Sequence, residues 1–156
     1  MKTKHIFYLL LLCALSACNS TSNEKDLEAP EILAGTEGAG PLNCAVYHLG
    51  STLIFQYSFL DNMELGSYNL EIHNNFDHHT HSTEAETCQQ DPVKKPVNPW
   101  IYNKDFHLPA GEKMYDAYEE IKIPEDVDPG EYHFMIRLTD ASGWQTLKSV
   151  SIRLAE

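Results

Sequence analysis

From about residue 30 onward, apolar side chains recur at every second position, and three- or four-residue spacing is nearly absent. Leu53, Phe55, Tyr57 and Phe59 form one such row. Tyr68, Leu70 and Ile72 alternate with Asn69, Glu71 and His73, and Tyr132, Phe134, Ile136 and Leu138 alternate with His133, Met135 and Arg137. Period two is the side-chain period of a β-strand with one buried face. Turn formers bound these runs: Asp61-Asn62 and Gly66, Pro109-Ala110-Gly111, the Pro124 to Gly130 corner, and Asp140-Ala141-Ser142-Gly143. The pattern predicts strands at 30–34, 52–60, 68–73, 100–108, 115–123 and 131–139, and a last one burying Val150, Ile152 and Leu154. That is an all-β sandwich. Residues 74–99 interrupt it with a polar insert bearing Pro92, Pro96 and Pro99, too long for an ordinary connection and therefore a candidate for function.

Pro129-Gly130-Glu131-Tyr132-His133-Phe134-Met135-Ile136, followed by Asp140 and Gly143, resembles the closing hairpin of bacterial immunoglobulin-like domains. About seven strands fit one such β-sandwich, with the insert after its third strand. In that topology the third and sixth strands are antiparallel neighbours. His73 and His133 then become cross-strand partners on the outward face, with Cβ atoms about 5 Å apart. The insert leaves from the same end with Asp77, His78, His79 and His81. Imidazole suits zinc and copper, so His73 and His133, with His78, His79 or His81 and with Asp77 at hand, are the expected ligands of a divalent transition metal. His48 is a weaker candidate, and His107 is a solvated surface residue. Asp61-Asn62 and Asp140 read as turn formers rather than calcium ligands.

The N-terminus sets the compartment. Lys2 and Lys4 precede an apolar run at 6–15, too short to span a bilayer, that ends in Leu15-Ser16-Ala17-Cys18. This resembles a lipobox, which implies a signal peptide over 1–17, acylation of Cys18, and a polar tether over 18–28 before a domain at 29–156. The tether's Glu24-Lys25-Asp26 is either a spacer or a surface-export signal. The expected location is the outer membrane, facing the periplasm or the cell surface, with the bilayer as partner through Cys18. The 156 residues carry a formal charge of −12, and the leader holds two of the lysines. Such a chain repels nucleic acid. With Cys13 removed and Cys18 acylated, Cys44 and Cys88 remain in an oxidising compartment. A disulfide that pins the insert is the expectation, and free or metal-ligating thiols are the alternative.

The Ile72-His73-Asn74-Asn75-Phe76-Asp77-His78-His79-Thr80-His81 run, joined to Pro129-Gly130-Glu131-Tyr132-His133-Phe134, resembles the lipoprotein family described as domain of unknown function 4625, over approximately residues 28–155. The resemblance implies a lipobox, an immunoglobulin-like sandwich and the histidine motif, and no particular activity. The leading expectation is a non-enzymatic, lipid-anchored envelope protein that captures or buffers zinc or copper, with an envelope transport or surface protein as a candidate partner. The alternative is an adhesion or interaction module whose insert and sheet face bind a protein or glycan. Trp100, Tyr102 and Trp144 are its platforms if exposed and ordinary core aromatics if not. A hydrolase using metal-bound water is a third class, but the chain carries no HExxH or GxSxG.

Overall fold

A computed structural model of the chain describes residues 25–33, 37–80 and 88–156. These contain eight strands: β1 (Glu31–Leu33), β2 (Ala45–His48), β3 (Thr52–Leu60), β4 (Leu65–Asn74), β5 (Tyr102–His107), β6 (Met114–Lys122), β7 (Gly130–Asp140) and β8 (Gln145–Ala155). They form two sheets, one ordered β1-β3-β6 and the other β2-β8-β7-β4-β5. The chain is thus all-β, as its alternation predicts. Pairing is antiparallel throughout except that β2 runs parallel to β8, with Ala45 opposite Ile152 and His48 opposite Ala155.

The alternating rows become the core. In β3, Leu53, Phe55 and Phe59 are fully buried, while Thr52, Ile54 and Gln56 face out. Tyr68, Leu70 and Ile72 of β4 and Tyr132, Phe134, Ile136 and Leu138 of β7 meet them from the five-stranded sheet. Phe55 joins the layers, its ring centroid 5.8 Å from those of Tyr68 and Phe134, both stacked on it. Removing this much aromatic surface from water is the main favourable contribution to folding.

The eighth strand, β2, is an addition to the seven expected. It is short, and its parallel partner is the C-terminal strand, so neither a hairpin nor a long alternating run announces it. Cys44 just before it has a φ of 64°, a left-handed turn that a cysteine does not advertise. The strand expected at 100–108 is shorter than predicted, because Trp100 lies before β5 and is buried against Tyr132 and Tyr102.

Candidate functional site

At the His73 end of the five-stranded sheet, the predicted register is present: His73 pairs with His133 across β4 and β7. His79 folds back over both, with ring centroids 5.4 Å from His73 and 5.1 Å from His133. His73 Nε2 and His79 Nε2 face each other at 3.3 Å, while further ring nitrogens are directed to other groups. His133 Nε2 donates to the His79 carbonyl at 3.0 Å, and His78 Nε2 donates to the Asp91 carbonyl at 2.9 Å. His79 Nδ1 meets Asp77 Oδ1 at 2.5 Å, and His73 Nδ1 lies 3.1 Å from Glu71 Oε1. The hydrogen bond from His79 holds the Asp77 carboxyl below its ordinary range. His81 lies outside the described residues.

The zinc or copper reading is therefore corrected. A transition-metal site needs three or four ligand atoms aimed at one point. Among the described residues, the one group of three or more His, Cys, Asp or Glu side chains whose ligand atoms all lie within 4.8 Å of one another is Asp26, Asp61 and Asp140. His73, His78, His79, His133 and Asp77 are not in it. The correct strand register brought the histidines together, but apart from the His73–His79 contact their nitrogens turn toward carboxylates and backbone carbonyls, where they fasten the root of the insert.

The described residues of the insert, 74–80 and 88–99, are fastened in this way. Cys44 and Cys88 form the expected disulfide, with Cα atoms 5.4 Å apart. Arg153 grips Asp91 through Nη2 at 2.7 and 2.6 Å, and Asp91 N donates to Glu131 Oε1 at 2.8 Å. Asp128 Oδ2 accepts from Val97 N and Asn98 N at 2.7 and 2.8 Å. Lys94 Nζ sits 4.3 Å over the Phe76 ring, while Phe76 itself is buried against Tyr132. At the far end, the Tyr132 hydroxyl donates to the Asp128 carbonyl at 2.7 Å and accepts from Trp100 N at 3.1 Å.

Burial pushes the Tyr132 phenol up to about 12, and burial with the neighbouring Tyr47 does the same to Tyr57. Both folded values lie above the unfolded value near 10, so this stability is complete below pH 10 and is lost as pH rises through 12. It amounts to on the order of 2 kcal/mol for each phenol. Phenolate absorbance and far-ultraviolet circular dichroism should therefore change together in that window. In Tyr132→Phe the slope of stability against pH above 10 should decrease, and an unchanged slope would show that Tyr132 is not one of the titrating groups.

The opposite ends of β4 and β7, roughly 25–30 Å away along the strands, hold the carboxylate cluster. Asp61 begins the β3–β4 turn, accepting from Met63 N at 2.8 Å and Glu64 N at 2.6 Å. Asp140 closes β7 and accepts from Trp144 N at 2.8 Å. Both are the turn formers that the sequence suggests. Asp26 comes from the segment read as tether, yet it is buried. Its carboxyl is held below the usual range chiefly by the Glu28 backbone N–H, with the Asn62 and Ser142 side chains and Asp140 contributing. Three carboxylates so placed can coordinate a divalent cation through oxygen. No single segment signals this site, because it is assembled from two turns and the segment before β1, all far apart in the chain.

The expected partners are corrected accordingly. The transition metal falls with its ligand set. The cysteines among the described residues, Cys44 and Cys88, are bonded to each other and offer no thiol for acylation, while Cys18 lies outside the described residues. Among the described residues no helix is long and apolar enough to cross a membrane.

Two β-sheets sharing one core, a cross-linked insert at one end and a carboxylate cluster at the other define an all-β domain whose distinctive features lie at its two ends. The chain belongs to the family described as Domain of unknown function (DUF4625), which it matches over residues 16–155. Among solved structures it is similar to a family 123 glycoside hydrolase from Clostridium perfringens. The identity is 17%, the TM-score is 0.42, and the match covers 74% of this chain and 23% of that one. The chain thus corresponds to less than a quarter of that hydrolase. No curated protein matches it.

Proposed function

We propose that the protein is a non-enzymatic interaction module of immunoglobulin-like architecture that works in an oxidising compartment of the cell envelope and binds a protein partner through its insert. The strand order supports the architecture: β8-β7-β4 corresponds to the G-F-C sheet of that fold and β3-β6 to its B-E pair. The Cys44–Cys88 disulfide supports the compartment.

One observation carries the binding role. Residues 88–99 of the insert are anchored by a disulfide, a bidentate ion pair and backbone hydrogen bonds, yet Val93, Val97 and the adjoining Ile101 are 64%, 89% and 73% exposed. Ordering a loop costs conformational entropy that burial normally offsets. A loop that is ordered in advance and holds apolar side chains in water has already met much of the cost of binding. Valine and isoleucine suit a protein surface. The stacking that recognises sugars needs an aromatic face; beside the insert Trp100, at 5% exposure, is committed to the core, and Trp144, 45% exposed, lies at the opposite end of the domain.

A photo-crosslinking residue at Val97 in the producing cell should capture a discrete protein species. The same residue at Ile54, on the outward face of the other sheet, should not. Val93→Ser with Ile101→Ser should reduce capture several-fold while leaving the melting temperature nearly unchanged, since exposed substitutions usually cost less than about 0.5 kcal/mol. No capture at 97, or equal capture at 54, would overturn the proposal.

A further inference from the structure

The structure assigns to Asp26, Asp61 and Asp140 a calcium site that fastens the chain segment preceding β1 to the domain. This stands on different residues from the insert and is independent of its function. All three residues are buried, with 6%, 5% and 4% of their surfaces exposed. In each, Oδ1 is engaged by local backbone: Glu28 N on Asp26, Met63 N and Glu64 N on Asp61, Trp144 N on Asp140. In each, Oδ2 is buried and has no hydrogen-bond partner.

This division of roles points to a ligand. The backbone bonds hold each carboxylate in one orientation, as in an Asx turn. What remains is one buried acceptor on each of three chain segments, in carboxylates that each place an oxygen within 4.8 Å of the other two. Like charges so close repel, and a buried carboxylate oxygen without a donor is costly. One cation satisfies all three at once.

Its chemistry follows from the donors. All are hard oxygens, with neither imidazole nor thiolate among them, which disfavours zinc and copper. Calcium bonds oxygen at about 2.4 Å and accepts six to eight ligands in irregular geometry, so oxygens on opposite sides of the ion lie up to about 4.8 Å apart. Magnesium demands shorter bonds and near-octahedral placement. The Asn62 and Ser142 side chains, which stand against Asp26, are available as further oxygen donors.

Binding would join the segment before β1, the β3–β4 turn and the β7–β8 turn. The segment already touches the domain lightly: Trp144 Nε1 donates to the Asp26 carbonyl at 3.3 Å, and Thr146 Oγ1 donates to the Pro30 carbonyl. Carboxylate repulsion opposes that docking, and a bound cation converts it into attraction. Calcium concentration thus sets how firmly the chain is held where it meets the domain.

The test uses the full chain and the metals alone. Terbium, a luminescent calcium substitute, should show emission excited through Trp144, and calcium should displace it with a dissociation constant on the order of 10⁻⁴ M or tighter. Trp144→Phe should lose the emission while keeping calcium binding by calorimetry. Calcium should raise the melting temperature, and magnesium at equal concentration should not. Asp61→Asn removes charge while keeping the turn acceptor. It should melt no lower than wild type in chelator, yet bind calcium at least about tenfold more weakly. Calcium should also slow tryptic cleavage after Lys25 several-fold in wild type and not in Asp61→Asn. Absence of both terbium emission and a calcium-dependent melting shift in wild type would overturn the site. Binding without protection at Lys25 would overturn the fastening.

Discussion

Replacing both Cys44 and Cys88 with serine is expected to lower the stability of the domain by about 4 kcal/mol. The cysteines are 44 residues apart, and in the chain-entropy account a cross-link closing a loop of that length removes about this much freedom from the unfolded ensemble. Against a typical total of 5–15 kcal/mol, the loss is large. Its structural effect should be local, because the bond ties the insert to β2 rather than joining the two sheets. Urea denaturation of the double variant gives the energy. Trypsin gives the place, since Lys94 sits on the exposed surface of the insert and the bond after it should become cleavable well before the strands unfold. A loss below about 1 kcal/mol would show that the ion pair between Arg153 and Asp91 and the hydrogen bonds from Asp128 hold the insert without the disulfide.

Phe55→Ala should have a comparable or greater effect, about 3–5 kcal/mol. Phe55 is fully buried, lies between Tyr68 and Phe134 of the facing sheet, and also contacts Tyr57 and Phe59 on its own strand. Truncation removes buried apolar surface and leaves a cavity whose walls belong to two sheets, neither of which can close it alone. Ile54→Ala is the internal control. It is the next residue on the same strand, points the opposite way and is 38% exposed, so it should cost a small fraction of that amount. Equal losses at 54 and 55, measured by chemical denaturation, would contradict the assignment of the two faces.

Much of the architecture was legible because period-two alternation reports burial directly. Residues 52–60 were read as a strand, and β3 has those bounds. The pairing of His73 with His133 also followed from strand order and alternation alone. Register places Cβ atoms, but side-chain torsions place ring nitrogens. Those depend on Glu71, Asp77 and the carbonyls of His79 and Asp91, contacts that arise only when the insert folds back. A cluster of imidazoles was thus correctly located and wrongly given a metal.

The reverse held for the aspartates. In the sequence Asp61 and Asp140 have the character of turn residues, and their Oδ1 atoms accept the turn hydrogen bonds. Asp26 belongs by sequence to a polar tether, because a short polar stretch with one leucine has too little apolar surface to predict docking. It is buried because Trp144, Thr146 and the two turns receive the segment there.

By itself the sequence determined the β class, the face that each main strand buries and the turns, because local periodicity and turn chemistry carry that information. Only the tertiary structure decided the parallel docking of β2, the partners of the histidine nitrogens and the meeting of three aspartates. Each of these joins residues far apart in the chain, and the energy that selects them exists only after the two sheets have closed on a common core.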